Sequence, residues 1–136
     1  MGFGPDGSKQ LDENNVGVAH VPKGKRARFD FYAHASWENA ACIYEGSSDQ
    51  MITDPRGNEG RSLDSFTTLV NTTGRDQFFK VTGWHKTGSY YGQRPWIQSR
   101  MSNTPSGDYT FAFHFEDQHD LGGEDFQDLQ VGVIVF

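Results

Sequence analysis

Between residues 116 and 128 the sequence reads EDQHDLGGEDFQD, a run with six acids and no Lys or Arg. The acids are Glu116, Asp117, Asp120, Glu124, Asp125 and Asp128. Two unit charges 4 Å apart repel by about 1 kcal/mol in water, and by more beside a low-dielectric surface. A segment this crowded costs stability unless something neutralises it, and a bound cation would reverse the sign. Oxygen-only donors favour a hard ion. Ca²⁺ accepts roughly six to eight oxygens in loose geometry, whereas Mg²⁺ keeps several waters and takes only one or two carboxylates. Gly122 and Gly123 let the backbone turn tightly and leave carbonyl oxygens available. The segment does not follow the EF-hand pattern, and the alternative to a metal site is a solvated acidic turn that maintains solubility. These acids also hold the whole net charge of −6, because twelve acids remain outside the segment against twelve Lys and Arg.

Other side-chain groupings carry weaker chemistry. In WHKTGSYYGQRPW (84–96), Trp84, Tyr90, Tyr91 and Trp96 stand among Gly, Lys and Arg. Exposed aromatics beside hydrogen-bonding groups make a platform for a sugar ring and recognition area at low entropic cost. The competing reading makes Trp84 and Trp96 core residues on adjacent strands, joined by a hairpin whose tip carries the tyrosines. Trp37, Glu38 and Asn39 form a second candidate contact site, with a buried Trp37 as its alternative. His114, Glu116 and His119 give H-x-E-x-x-H, a nitrogen-containing set open to Zn²⁺ or Fe²⁺, though not on the helix that a zincin requires. No G-x-S-x-G, phosphate loop or dinucleotide fingerprint occurs. Cys42 follows Ala40-Ala41 in an apolar run, where an inert buried thiol is the default. No catalytic residue is assigned, and the reading is non-enzymatic. The acidic balance argues against nucleic-acid binding.

The elements that must position these groups read as strands. In ARFDFYAHA, Ala27, Phe29, Phe31, Ala33 and Ala35 share one face, while Arg28, Asp30, Tyr32 and His34 share the other. DYTFAFHFE sets Tyr109, Phe111, Phe113 and Phe115 against Thr110, Ala112, His114 and Glu116; LQVGVIVF aligns Leu129, Val131, Val133 and Val135. Weaker strands are expected at 16–22, 40–45, 64–71, 76–84 and 94–101, with turn signals such as PKGK, DPRGNEG, NTTGRD and DLGGED between them. The spacing predicts an all-β chain built as an antiparallel β-sandwich, with a closed barrel as the alternative. The 136 residues make one domain, 16–136, preceded by a flexible N-terminal arm, 1–15. KGKRAR (23–28) reads as the start of an edge strand protected by charge. The apolar C-terminal strand is a candidate for pairing across a two-fold in a homo-oligomer. No apolar run approaches the ~18–20 residues of a membrane helix, so no membrane insertion is expected. The first residues lack a secretory signal, and the single cysteine fits a reducing compartment. Both point to a cytoplasmic chain or to a mature secreted form with an added Met.

The pattern F-E-D-x-(few)-G-E-D-F-Q-D-L-x-V resembles the calcium loop of the bacterial two-calcium sugar-binding lectins, in which E-D-G-T-D-N-D-Y-N-D leads into an apolar last strand. It is also similar to the D-x-D-F/Y-N-D loop of a calcium-binding β-sandwich domain in bacterial surface and secreted proteins. The resemblance covers about 20 residues at 115–135. It implies that Glu116, Asp125 and Asp128 are metal ligands, that Phe126 takes the place of the aromatic residue, and that Gln127 takes that of the Asn contacting calcium and sugar. The segment here is longer than the lectins' by about three residues, which leaves Asp120 and Glu124 without counterparts. The chain ends in Val-Phe where those lectins end in a Gly.

These readings combine into one expectation, a non-catalytic calcium-binding recognition module whose partner is carbohydrate. Tyr90, Tyr91, Trp84, Trp96 and Gln127 would form its ligand surface. A calcium-stabilised structural or adhesive sandwich without a sugar ligand is the first alternative. A small metalloenzyme using His114, Glu116 and His119 is the second.

Overall fold

Strict alternation in the sequence becomes strand in the computed structural model, which describes residues 2–33, 38–58, 61–86, 95–103, 109–116 and 129–136. The strands are β1 (Gly17–Val21), β2 (Ala27–Ala33), β3 (Asn39–Glu45), β4 (Arg56–Gly57), β5 (Phe66–Thr67), β6 (Gln77–His85), β7 (Ile97–Gln98), β8 (Arg100–Asn103), β9 (Thr110–Glu116) and β10 (Leu129–Val135). They form two antiparallel sheets. One runs β1-β6-β3-β4 with β7 also on β6, and the other runs β5-β2-β10-β9-β8. The chain is a β-sandwich with open sheets and not a closed barrel.

The core lies between the sheets, as the alternation requires. Phe29 and Phe31 of β2, Phe113 and Phe115 of β9, and Leu129, Val131 and Val133 of β10 meet Ala19, Ile43, Phe79 and Val81 from the opposite sheet. Two glycines set the spacing. A Cβ on Gly17 would run into the Phe113 ring, and one on Gly83 would run into the Phe115 ring. At these positions an aromatic residue of one sheet rests directly on the backbone of the other.

Five expectations are corrected. The segment 64–71 yields only the two-residue β5, and the turn signal DPRGNEG contains β4. The segment 94–101 divides at Ser99, because β7 pairs with β6 while β8 pairs with β9, so the chain changes sheets there. Ser99 N–H donates to Gly83 O at 2.8 Å on the way across. β2 is not an edge strand; β5 and β10 flank it. β10 lies between β2 and β9 with both its edges paired, and so cannot add a strand from a second chain.

β3 explains why 40–45 shows no alternation: every residue from Asn39 to Tyr44 is buried. Ala41 and Ile43 face the main core, while Ala40, Cys42 and Tyr44 join Trp84 and Trp96 in a second cluster on the outer face. Phe3 and Leu11 pack against that cluster. Gly4 N–H donates to the Tyr44 hydroxyl at 2.8 Å, and the Phe3 ring meets Tyr44 edge-on at 5.0 Å. Further along, the Gln98 side chain exchanges hydrogen bonds with the Asp12 backbone, accepting at 2.8 Å and donating at 3.0 Å. Residues 2–15 thus cover the outer face of the β3–β6 sheet.

The turn after β3 stores a pH dependence. Glu45 Oε2 accepts from the N–H and Oγ of both Ser47 and Ser48 at 2.7–3.0 Å. Burial works to raise this carboxyl, but the serine hydrogen bonds outweigh it and hold Glu45 at about 2. A carboxyl lowered on folding stabilises the native state above its unfolded value near 4.5, and that contribution fades as the pH falls toward 2. Glu45→Gln is therefore expected to melt with a shallower pH dependence over that window than the parent. Melts at successive pH values across that window check it, and equal slopes would contradict it.

Candidate functional site

The strand registers gather several chain segments at one end of the sandwich. Leu129, the first residue of β10, is opposite both Phe115 and Ala33, and Asn39 is opposite His85. The close approach of Gly83 to Phe115 brings the ends of β6 and β9 together. The segments 34–37, 87–94 and 117–128 therefore all attach to strand ends at this same pole.

Glu116 is the metal candidate that lies within the described residues. It is the last residue of β9 and shares the outward face with His114, yet it is only 2 % exposed. A carboxylate so enclosed is costly unless partners compensate it. Its cross-strand neighbour on β8 is the cationic Arg100. Asp117, Asp120, Glu124, Asp125 and Asp128 lie outside the described residues, as do Gln127, Tyr90, Tyr91, His119 and Trp37. Among the described residues no three His, Cys, Asp or Glu side chains cluster to hold a metal. By donor chemistry, Glu116 and the five acids that follow it within twelve residues fit a hard cation.

Trp84 and Trp96 are corrected as ligand platforms. They are 1 % and 4 % exposed, respectively. Trp84 is packed among Ala40, Cys42 and Tyr44, and its indole N–H donates to Thr82 Oγ1 at 2.8 Å. The competing core reading describes both residues, and β6 and β7 pair as the two arms of a hairpin.

A charged cluster that sequence reasoning missed surrounds Trp96. Arg61 and Lys86 sit over its ring at 5.0 and 4.7 Å. Glu38 lies between them, with Oε1 3.1 Å from Arg61 Nη1 and Oε2 3.4 Å from Lys86 Nζ. Lys86 N–H also donates to Glu38 O at 3.0 Å. Two cations, one carboxylate and one indole thus tie together the chain at Glu38, Arg61, Lys86 and Trp96, and the cluster itself carries one net positive charge. Beneath this brace, His85 Nδ1 and Ser99 Oγ are 2.8 Å apart and fully buried. Glu38 was visible in the sequence as a contact candidate. Lys86 stood in the 84–96 segment only as one of its polar groups, and Arg61 gave no signal, since both meet Glu38 only through tertiary folding.

Cys42 is 1 % exposed, and burial pushes its thiol up to about 12. It is protonated at neutral pH and unsuited to nucleophilic chemistry. Ellman's reagent is expected to leave the native chain unlabelled at pH 8 and to titrate one thiol after denaturation. Rapid labelling of the native chain would contradict this burial.

No family model and no curated protein sequence matches the chain. Solved structures with a similar fold do exist. A Chromobacterium violaceum lectin in complex with α-methyl-fucoside aligns over 86 % of this chain and 93 % of its own, at TM-score 0.53 and 14 % identity. The C-terminal domain of a Burkholderia cenocepacia lectin aligns over 88 % and 94 %, at TM-score 0.56 and 13 % identity. A Ralstonia solanacearum high-affinity mannose-binding lectin aligns over 86 % and 93 %, at TM-score 0.54 and 15 % identity. The fold of this chain is that of these bacterial lectins.

Proposed function

We propose that the chain is a non-catalytic carbohydrate-binding protein whose 116–128 segment takes up calcium. The observation that carries this reading is the pairing of a sugar-binding lectin's fold, matched over nearly the whole chain, with six acids from the end of β9 to the start of β10. Glu116, Asp125 and Asp128 would hold the metal, with Asp117, Asp120 and Glu124 supplying further oxygens. Bound there, calcium supplies positive charge that offsets the carboxylates and open coordination positions suited to hydroxyl oxygens. Gln127 would add a hydrogen-bonding side chain, and Tyr90 and Tyr91 stacking surface. The fucoside bound by one neighbour and the mannose named for another make these two sugars the first probes.

A glycan array probed in millimolar calcium and again in EDTA tests the reading. Binding to fucose- or mannose-bearing glycans in calcium, abolished by EDTA, is the expected result. An array silent in both buffers, together with a calcium-raised melting temperature, would favour the structural or adhesive alternative.

A further inference from the structure

The pole opposite the acidic segment carries a surface that carbohydrate binding leaves unused. Here the turn 22–25 joins β1 to β2, residues 68–76 lead from β5 to β6, and β10 ends. Hydrogen bonds fuse these pieces into one surface. Gly24 N–H donates to Asn71 O at 2.8 Å, and Asn71 N–H donates to Lys25 O at 2.7 Å. The Asn71 amide, only 3 % exposed, donates to Val21 O at 3.1 Å and to Arg75 O at 2.8 Å. Arg26 and Phe136 exchange backbone hydrogen bonds of 2.9 Å in both directions.

Two kinds of side chain project from this cross-linked backbone. Lys23, Arg26 and Arg75 are exposed, and Lys25 is half-buried. The Arg26 guanidinium stacks on Phe136 at 4.7 Å and Lys25 Nζ sits over Tyr109 at 5.1 Å, so these cations are displayed on aromatic supports. Beside them Leu69 is 91 % exposed and Val70 45 %. Both also line a cavity of about 360 Å³ walled by Ile52, Phe66 and Phe79. Three described carboxylates share this pole, each with a defined partner. Glu45 takes the serine hydrogen bonds, Asp49 lies 2.9 Å from Lys80 Nζ, and Asp76 lies 2.9 Å from His20 Nε2. Counting Lys80, five cations stand against these three carboxylates among the described residues, so the pole keeps a net positive charge.

We propose that this pole docks on an anionic phospholipid bilayer, with Lys23, Lys25, Arg26 and Arg75 at the headgroups and Leu69 and Val70 in the interfacial layer. Charge complementarity selects this occupant. Anionic leaflets attract clustered Lys and Arg, and projecting apolar side chains gain by burial just below the headgroups. A second copy related by a two-fold would instead set the four cations against four more. The acids do not cancel the attraction, because they attach to the far ends of β9 and β10. Seven residues of strand span roughly 23 Å at about 3.3 Å each, well beyond the Debye length of about 8 Å. Among the described residues no helix is long and apolar enough to cross a membrane, and surface docking needs none.

Co-sedimentation of the full chain with vesicles tests the proposal, run in EDTA so that neither calcium nor sugar takes part. The chain is expected to pellet with equal parts phosphatidylserine and phosphatidylcholine and to stay in solution with phosphatidylcholine alone. The double variant Lys23→Ser/Arg75→Ser is expected to partition about 30-fold more weakly and Leu69→Ser about tenfold more weakly. All should keep the parental melting temperature, since Lys23 and Arg75 make no side-chain hydrogen bond or ion pair with a described residue and Leu69 is almost fully exposed. Equal pelleting on both vesicle types, no pelleting on either, or an unchanged double variant would overturn the proposal. Vesicle-free self-association that Leu69→Ser abolishes, without pelleting, would overturn it in favour of a second copy. A failed glycan array would leave the vesicle result untouched, so the two readings fail separately.

Discussion

Changing Asp125 and Asp128 together to Asn is expected to abolish the chain's melting response to calcium. A ligand that binds only the native state stabilises it by about 2.7 kcal/mol at 100 times its dissociation constant. Loss of two anionic oxygens from a hard-ion site raises that constant by at least ~100-fold, because affinity in such sites follows the charge count of the ligands. At the same calcium concentration the stabilisation then falls to about 0.4 kcal/mol. The sign in the metal-free state is the reverse. With two of six like charges removed, the variant should melt at or slightly above the stripped parent, since about 1 kcal/mol of repulsion accompanies each close pair. Scanning calorimetry of parent and variant, each with and without calcium, reads both effects. A variant that still gains the parent's full calcium shift would remove Asp125 and Asp128 from the site.

Trp84→Ala is expected to cost about 4 kcal/mol of stability, in the range for a large aromatic cut from a core. The indole is 1 % exposed, fills the space between Ala40, Cys42 and Tyr44, and donates to Thr82 Oγ1 at 2.8 Å. Its removal opens a void that the surrounding strands cannot close, since β6 is fixed at this point by β3 and β7 on its two sides. It also leaves Thr82 Oγ1, which donates to Cys42 O at 3.3 Å, without the donor it accepts from. The arm should loosen in the same variant, because the cluster that Phe3 and Leu11 cover would be hollow. Urea unfolding followed by tyrosine fluorescence measures the loss. If Trp84 were a stacking platform, the substitution would instead weaken sugar binding and leave the unfolding midpoint in place.

The strands best read from sequence were those with one face in the core and one in solvent. β2 alternates as Phe29 and Phe31 inward against Arg28 and Tyr32 outward, and β9 and β10 follow the same logic. β3 was harder because the N-terminal arm turns its outer face into a second interior, which erases the period. The division of 94–101 was not legible at all. Only the position of Gly83 on another strand tells Ser99 where to cross between sheets. The two tryptophans show the same limit. Their composition suits a binding surface, and their burial depends on an arm and on two cations that lie far off in sequence. For the candidate site, a short crowded run of acids carries its electrostatic meaning locally. The brace formed by Glu38, Arg61 and Lys86 has no local meaning until the fold assembles it.

Calcium-dependent carbohydrate recognition is tested most directly by isothermal titration of the metal-stripped chain with a panel of monosaccharide glycosides, before and after calcium is restored. Saturable binding heat to at least one glycoside in calcium, absent in its chelator-treated counterpart and not restored by magnesium, is the predicted result. Equal binding with and without calcium, or no binding to any glycoside in the calcium-restored chain, would contradict it.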